Sequence, residues 1–503
     1  GEIELGREEL SYYGAIIADY KGQGCLTLKN SWKWDCSFEA GQLADGKALL
    51  ICHIPISSVP INQRSKLDLV DLAAGFKGET GDYSITATKG FRVLNKLFAE
   101  TKPVNYVVAY FMHDFSLQKK EADARRAHFG IINFELTEIL PRLIPCGGGM
   151  AQGVMAFQVI NDYQPEELNL CLKDDINSIT ANVSIKPLPN YSETINRVKA
   201  LKSIDATCEI VVDINNEIDI DKLYKIISNL CYLLSIARGT KIHWIYCYQF
   251  DASGECISRK HVSKEPKPYC PLYTISPGIT ETKDFLERSY QNFIKRLDPY
   301  KLNMGTIDAY LDAKAETDYI SIRGAKLGVS LEILKDVFLQ SRIDQGSPIN
   351  EFIIDKNFFD KKIRPCLKES IKGIISKMIE EKREKDFEEL TIDYSAINEK
   401  IPELNRYSFK SSLKKLFTEI EFKPNAEDIQ RFLKCRNELI HTGRFCCYKI
   451  AQKEGRRCSR EEILEEFFFL INFLDKIFLN LIGYKGYYSN WSGFPEVRRE
   501  EIT

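Results

Sequence analysis

The sequence predicts an α+β protein, a β-rich N-terminal half followed by an all-α helical bundle. Three observations carry this. Up to about residue 275 the apolar residues fall in short β-branched or aromatic runs bounded by Gly, Asp, Asn and Pro; beyond it they recur at helical spacing; between the two lies the proline-rich stretch Lys264-Glu265-Pro266-Lys267-Pro268-Tyr269-Cys270-Pro271. The domains implied are a β-rich region over 1–275, a helical connector over 276–325, a helical domain over 326–490 and a C-terminal tail over 491–503.

In chain order, strands are predicted at Tyr13 to Ile17, Cys25 to Leu28, Ala48 to Ile56, Tyr83 to Thr88, Tyr106 to Phe111, Cys208 to Ile214 and Ile242 to Phe250, forming two curved sheets or subdomains. One helix interrupts them, Ile218 to Ala237, whose Leu223, Ile226, Ile227, Leu230, Leu233 and Leu234 make a stripe suited to covering a sheet. The glycine-rich run Cys146-Gly147-Gly148-Gly149-Met150-Ala151-Gln152-Gly153 lacks a Gly-Lys-Ser/Thr ending and reads as a turn. Helices follow at Thr282 to Leu297, Thr306 to Ala315, Ser330 to Leu339, Phe358 to Lys382, Phe409 to Ile420, Asn425 to Thr442 and Ser459 to Ile482. The last opens on the capping box Ser459-Arg460-Glu461-Glu462 and is apolar on most sides, which places it at the bundle centre or in a dimer interface.

Composition excludes several classes. A net charge of −2 gives no global basic field, so any nucleic-acid site must be local. Fifteen cysteines, odd in number and without a C-x-x-C pair, argue for reduced thiols in a cytoplasmic protein. Cys247, Cys256, His261 and Cys270 cluster in sequence, but their spacing does not fit a zinc ribbon, and no metal or cofactor is expected. No signal peptide and no membrane-length apolar run is apparent.

The most informative stretch is Arg436-Asn437-Glu438-Leu439-Ile440-His441. Asn425 is placed to cap its helix, with Asp428 three residues on, and Ile429, Phe432, Leu433 and Ile440 form the apolar stripe. Asn437 and His441 share a face at i, i+4, while Arg436 falls inside the stripe, where a charge needs a partner or a purpose. Gly443 suits C′, which puts His441 in the last turn, where the helix dipole favours a cation. A guanidinium, a carboxamide and an imidazole together are the groups that hold a phosphate and move a proton beside it. Downstream, Arg444, Lys453, Arg456, Arg457 and Arg460 form a basic cluster able to attract a phosphodiester backbone, and Phe445 and Tyr448 could stack a base.

Arg436-Asn437-x-x-x-His441 resembles the R-(polar)-x-x-x-H signature of HEPN domains, and Leu481-Ile482-Gly483-Tyr484-Lys485-Gly486-Tyr487 is similar to the close of the ApeA-like branch. The similarity extends upstream through Tyr407-Ser408-Phe409-Lys410 and Val329-Ser330-Leu331-Glu332-Ile333-Leu334. The resemblance implies a helical bundle that dimerises and cleaves RNA without metal in anti-phage abortive infection. A phage-derived protein at the N-terminal half would be the trigger. Catalysis would be 2′-OH transesterification, with His441 exchanging protons, Arg436 stabilising phosphorus-oxygen charge and Asn437 orienting the imidazole or a phosphate oxygen. One histidine per chain makes a poor acid and base at once, so a symmetric homodimer presenting two His441 side chains to one cleft is expected. The alternatives are a non-catalytic HEPN protein that only dimerises or binds nucleotides, and the toxin of a toxin-antitoxin pair.

Overall fold

The computed structural model describes residues 14–28, 32–64, 72–98, 105–119, 123–137, 143–145, 157–159, 167–174, 176, 179–214, 219–264, 267–269, 271–316, 318–345, 352–383, 394–493 and 497–502. Tyr13, Ile218, Cys270 and the glycine-rich run 146–153 lie outside the described residues. Strands β1 (Ile16–Leu28), β2 (Trp32–Leu43), β3 (Ala48–Pro55), β4 (Leu72–Thr80), β5 (Tyr83–Phe98) and β6 (Asn105–Gln118) open the chain. The two short strands predicted around residues 17 and 25 are one strand, β1, in which Gly22 and Gly24 hide the continuity. Those glycines allow close approach: a Cβ on Gly24 would stand 2.4 Å from the Phe76 ring, and one on Gly22 1.9 Å from the Glu79 carbonyl oxygen.

Where two curved sheets or subdomains are expected from sequence, the strands form one continuous twelve-stranded antiparallel sheet that carries two large, separate cores. Its first six strands close into a ring, because β6 pairs β5 along one edge and β3 along the other, while β4, β1 and β2 complete the circuit. Alternate residues point inward, so Trp34, Phe38, Leu50, Phe76, Tyr110 and Phe115 fill the barrel with a core of its own. Beyond Met112, β6 exchanges β3 for β14 (Cys256–Val262), from which the sheet continues through β13 (Trp244–Phe250), β7 (Arg126–Ile132), β12 (Ala206–Asp213), β11 (Ile179–Pro187) and β10 (Leu168–Asp174). β8 (Leu143–Pro145) and β9 (Phe157–Val159) pair only with each other among the described residues.

Helices of seven residues or more are α1 (Tyr191–Leu201), α2 (Ile220–Arg238), α3 (Ile279–Leu297), α4 (Ile307–Lys314), α5 (Ile320–Asp344), α6 (Arg364–Arg383), α7 (Tyr394–Lys400), α8 (Phe409–Glu419), α9 (Ala426–Thr442), α10 (Cys446–Lys453) and α11 (Arg460–Leu481). α2 has the predicted stripe and sharp ends: the Asp219 side chain accepts from Asp221 N–H, and Gly239 stops the helix at φ 64°. It covers the open sheet beside α3, with Tyr224 stacked on Trp244. The same hydrophobic core runs on through the C-terminal helices, so the open sheet and the bundle are packed as one body. Within the proline-rich stretch, Tyr269 is buried and its hydroxyl donates to Glu135. α4 is tied to α11 by a fully buried pair, Lys314 Nζ to Asp475 Oδ1 at 2.8 Å, with Tyr310 donating to the same carboxylate. Burial raises the Asp475 carboxyl and lowers the Lys314 ammonium, and their attraction opposes both shifts. In the segment predicted as a tail, β16 (Arg498–Glu501) pairs with β15 (Tyr487–Asn490), and the buried Trp491 donates to the Tyr273 carbonyl.

Candidate functional site

α9 has both predicted ends. Asn425 Oδ1 accepts from Asp428 N–H at 2.6 Å, and Gly443 takes φ 68° with its N–H on the Leu439 carbonyl. Its buried face is Ile429, Phe432, Cys435 and Leu439; Leu433 is half-buried, and Ile440, expected in the stripe, is 39 % exposed. Ile440 nonetheless lies toward α5, its Cδ1 3.5 Å from where a Gly328 Cβ would stand. A Cβ on Gly328 would stand 2.8 Å from Arg436 Cγ, and one on Gly324 3.0 Å from Leu439 Cδ1, so two glycines one turn apart make the shallow track on which α9 lies.

The Arg436 stem occupies that track. Its side chain is only 15 % exposed; Nη2 pairs with Glu332 Oε1 of α5, and the guanidinium stacks 4.7 Å from the Phe409 ring of α8. Nη1 donates to Asn437 Oδ1 at 2.8 Å, while Nε is buried with no hydrogen-bond partner among the described residues. Glu332 also holds Lys335 at 2.9 Å. Asn437 and His441 are exposed, one turn apart on the same face. Two of the three motif residues therefore form a chain of contacts from Glu332 through Arg436 to Asn437, and His441 stands beyond it at the helix end.

The basic cluster divides. Arg444, Lys453, Arg457 and Arg460 are exposed and make no ion pair among the described residues. Arg456 is committed: its guanidinium forks onto Glu462 at 2.8 and 2.6 Å and reaches Glu454 at 2.7 Å, and Glu462 is the capping-box residue of α11. The Arg456 guanidinium and the Ser459 N–H hold the Glu462 carboxyl down to about 2. Lys449, also in this region, pairs with Glu438 at 2.6 Å. Phe445, offered as a stacking residue, is fully buried, and Tyr448 is exposed.

A second constellation went unnoticed in the sequence. Cys435 of α9, Cys446 of α10 and Glu466 of α11 are all buried, and one ligand atom of each lies within 4.8 Å of the others. The two Glu466 oxygens accept from the N–H groups of Cys446 and Cys447 at 2.8 and 2.7 Å, so a buried carboxylate sits against the N-terminal turn of α10. Burial pushes its carboxyl up, and those two N–H groups act against the shift. The hydrogen bond from Cys435 holds the Cys446 thiol below its ordinary range and drives the Cys435 thiol up. Residues 11 and 20 positions apart carry no ligand spacing that a sequence pattern would single out. Cys247 and His261, in contrast, project from opposite faces of the β13–β14 pair, because His261 is in register with Tyr246. Cys247 points to the helix-covered core, and His261 lies against Tyr20 and Phe115.

No protein-family model, curated protein or solved structure matches the chain. Among the described residues no helix is long and apolar enough to cross a membrane.

Proposed function

We propose that the helical half is a metal-independent endoribonuclease of HEPN type acting in anti-phage defence, with Arg436, Asn437 and His441 as its working residues. The observation that carries this reading is the contact chain on α9. An arginine fixed from behind by Glu332 and Phe409 holds the amide of an exposed Asn437, and an exposed imidazole stands one turn further on. In this reading His441 takes the proton of a ribose 2′-OH or returns one to the leaving 5′-oxygen, and Asn437 orients the imidazole or a phosphate oxygen. The Arg436 guanidinium meets the charge that grows on the phosphorus oxygens. Arg444, Lys453, Arg457 and Arg460 guide the backbone; Arg456 contributes field but is held by its carboxylates.

A homodimer supplies the second histidine. Support for it is the exposure of Ile440 beside His441, and of Tyr448 and Ile450 on α10, which leaves apolar surface next to the motif. The Arg436 charge, placed inside the apolar stripe, finds its counter-charge within the chain at Glu332 and does not call for a second subunit. We further propose that the β-rich half receives the trigger, a phage-derived protein.

One observation favours a second reading. Arg436 is paired, stacked and mostly buried, as a packing residue would be, which fits a non-catalytic HEPN protein that only dimerises or binds nucleotides. RNA cleavage separates the two. The first reading expects wild-type protein to cut RNA and His441→Ala to leave it intact; the second expects neither to cut.

A further inference from the structure

We propose that Cys435, Cys446 and Glu466 bind one zinc ion, a structural metal site that joins α9, α10 and α11 immediately before the Arg436 motif. The donors come from three different helices, and their exposures are 2 %, 5 % and 8 %, so the site is built into the packed bundle and not onto its surface. Two sulfurs and one carboxylate oxygen suit a borderline-soft tetrahedral ion; calcium and magnesium prefer all-oxygen shells.

The geometry is close to what zinc needs. Zinc–sulfur and zinc–oxygen lengths of about 2.3 and about 2.1 Å at a tetrahedral angle separate the two donors by roughly 3.6 Å. Cys435 Sγ and Glu466 Oε2 stand 3.8 Å apart. The outer shell is in place as well, since the Cys446 and Cys447 N–H groups orient the carboxylate and leave each oxygen a lone pair. Two thiolates and a carboxylate outweigh a divalent ion by one negative charge, and that charge falls at the N-terminus of α10, where the helix dipole favours it. Among the described residues the chain supplies three donors, Cys435, Cys446 and Glu466, which leaves the fourth tetrahedral position to a small ligand such as water.

Binding releases the two thiol protons and inserts the metal in their place, with no change of oxidation state. The result is a cross-link between α9 at the residue before Arg436 and the two helices that follow. This inference is independent of the ribonuclease reading, because the ion holds the bundle and takes no part in the chemistry at His441.

The test is metal content and cobalt spectroscopy on the full chain. Purified under reducing conditions without chelator, wild-type protein is expected to carry about one zinc per chain. Cobalt added to the metal-free protein is expected to give thiolate-to-cobalt charge transfer and the intense visible bands of a tetrahedral site. Cys435→Ser with Cys446→Ser abolishes both signals, Glu466→Gln weakens binding at least tenfold, and Cys171→Ser, at an exposed position, changes neither. Wild-type protein that holds no zinc and shows no cobalt-thiolate absorption overturns the proposal whether or not the variants fold. Full metal stoichiometry in the double variant overturns it too, as does a Cys435–Cys446 disulfide in the reduced preparation.

Discussion

Arg436 of α9 and Glu332 of α5, 104 residues apart, form an ion pair between two helices that meet across glycine. The pair is partly shielded, and it fixes the direction in which the guanidinium reaches Asn437. Glu332→Ala is therefore expected to lower stability by about 1 kcal/mol, allowing for residual solvent screening. It should also reduce RNA cleavage by loosening Arg436. Arg436→Lys should not restore activity, because an ammonium cannot serve Asn437, Glu332 and the Phe409 ring together. Urea denaturation and initial cleavage rates measure the two effects.

Gly328 is the contact on which the Arg436 stem rests. Gly328→Ala puts a methyl 2.8 Å from Arg436 Cγ and is expected to cost about 1–3 kcal/mol through overpacking. Gly373→Ala, on α6 with open space around it, should be neutral or slightly stabilising. A thermal scan of the two variants compares them directly; equal melting temperatures would mean that α5 and α9 do not meet as described.

His261 gives a pH signature. It is fully buried, its Nε2 stands 2.9 Å from the Tyr20 hydroxyl, and burial, helped by the nearby Arg259 charge, pushes its imidazole down to about 3. The unfolded chain takes up the proton near pH 6.5, so the unfolded state binds more protons between that value and about 3. Stability is full above the unfolded pKa and falls as the pH drops below it, by about 2 kcal/mol from this group at pH 5. Denaturation curves at pH 7 and pH 5 should show this loss in wild type and less of it in His261→Phe.

Solution mass at working concentration tests the dimer. The expected species is a symmetric dimer, weakened by Ile440→Glu or Ile450→Glu at exposed apolar positions near the motif. A fully active monomer would remove the composite two-histidine site.

Helices were legible where their ends are written locally, as by Asn425, Gly443 and the Ser459–Glu462 box, whereas α1, α7 and α10 escaped and only Ser330 to Leu339 of α5 was read. Barrel closure was not legible, since it depends on β6 pairing two strands that are far apart in sequence, and no local pattern records which edge meets which. Several strands escaped although β10 and β11 carry the period-2 alternation that marks a half-buried strand, and β1 was split because Gly22 and Gly24 interrupt its run. At the site, the motif helix and its exposed face could be read from spacing. The Glu332 partner and the Cys435–Cys446–Glu466 cluster could not, because each brings together residues from separate helices.

The central claim is that His441 moves protons in RNA cleavage, and one assay tests it most directly. Wild type and His441→Ala are incubated with RNA without added divalent metal, with matching circular dichroism to show that both are folded, and the product ends are read by mass spectrometry. The account predicts wild-type cleavage that leaves 2′,3′-cyclic phosphate ends, and intact RNA with His441→Ala. Cleavage by His441→Ala at the wild-type rate, with contaminating nuclease excluded, would contradict it.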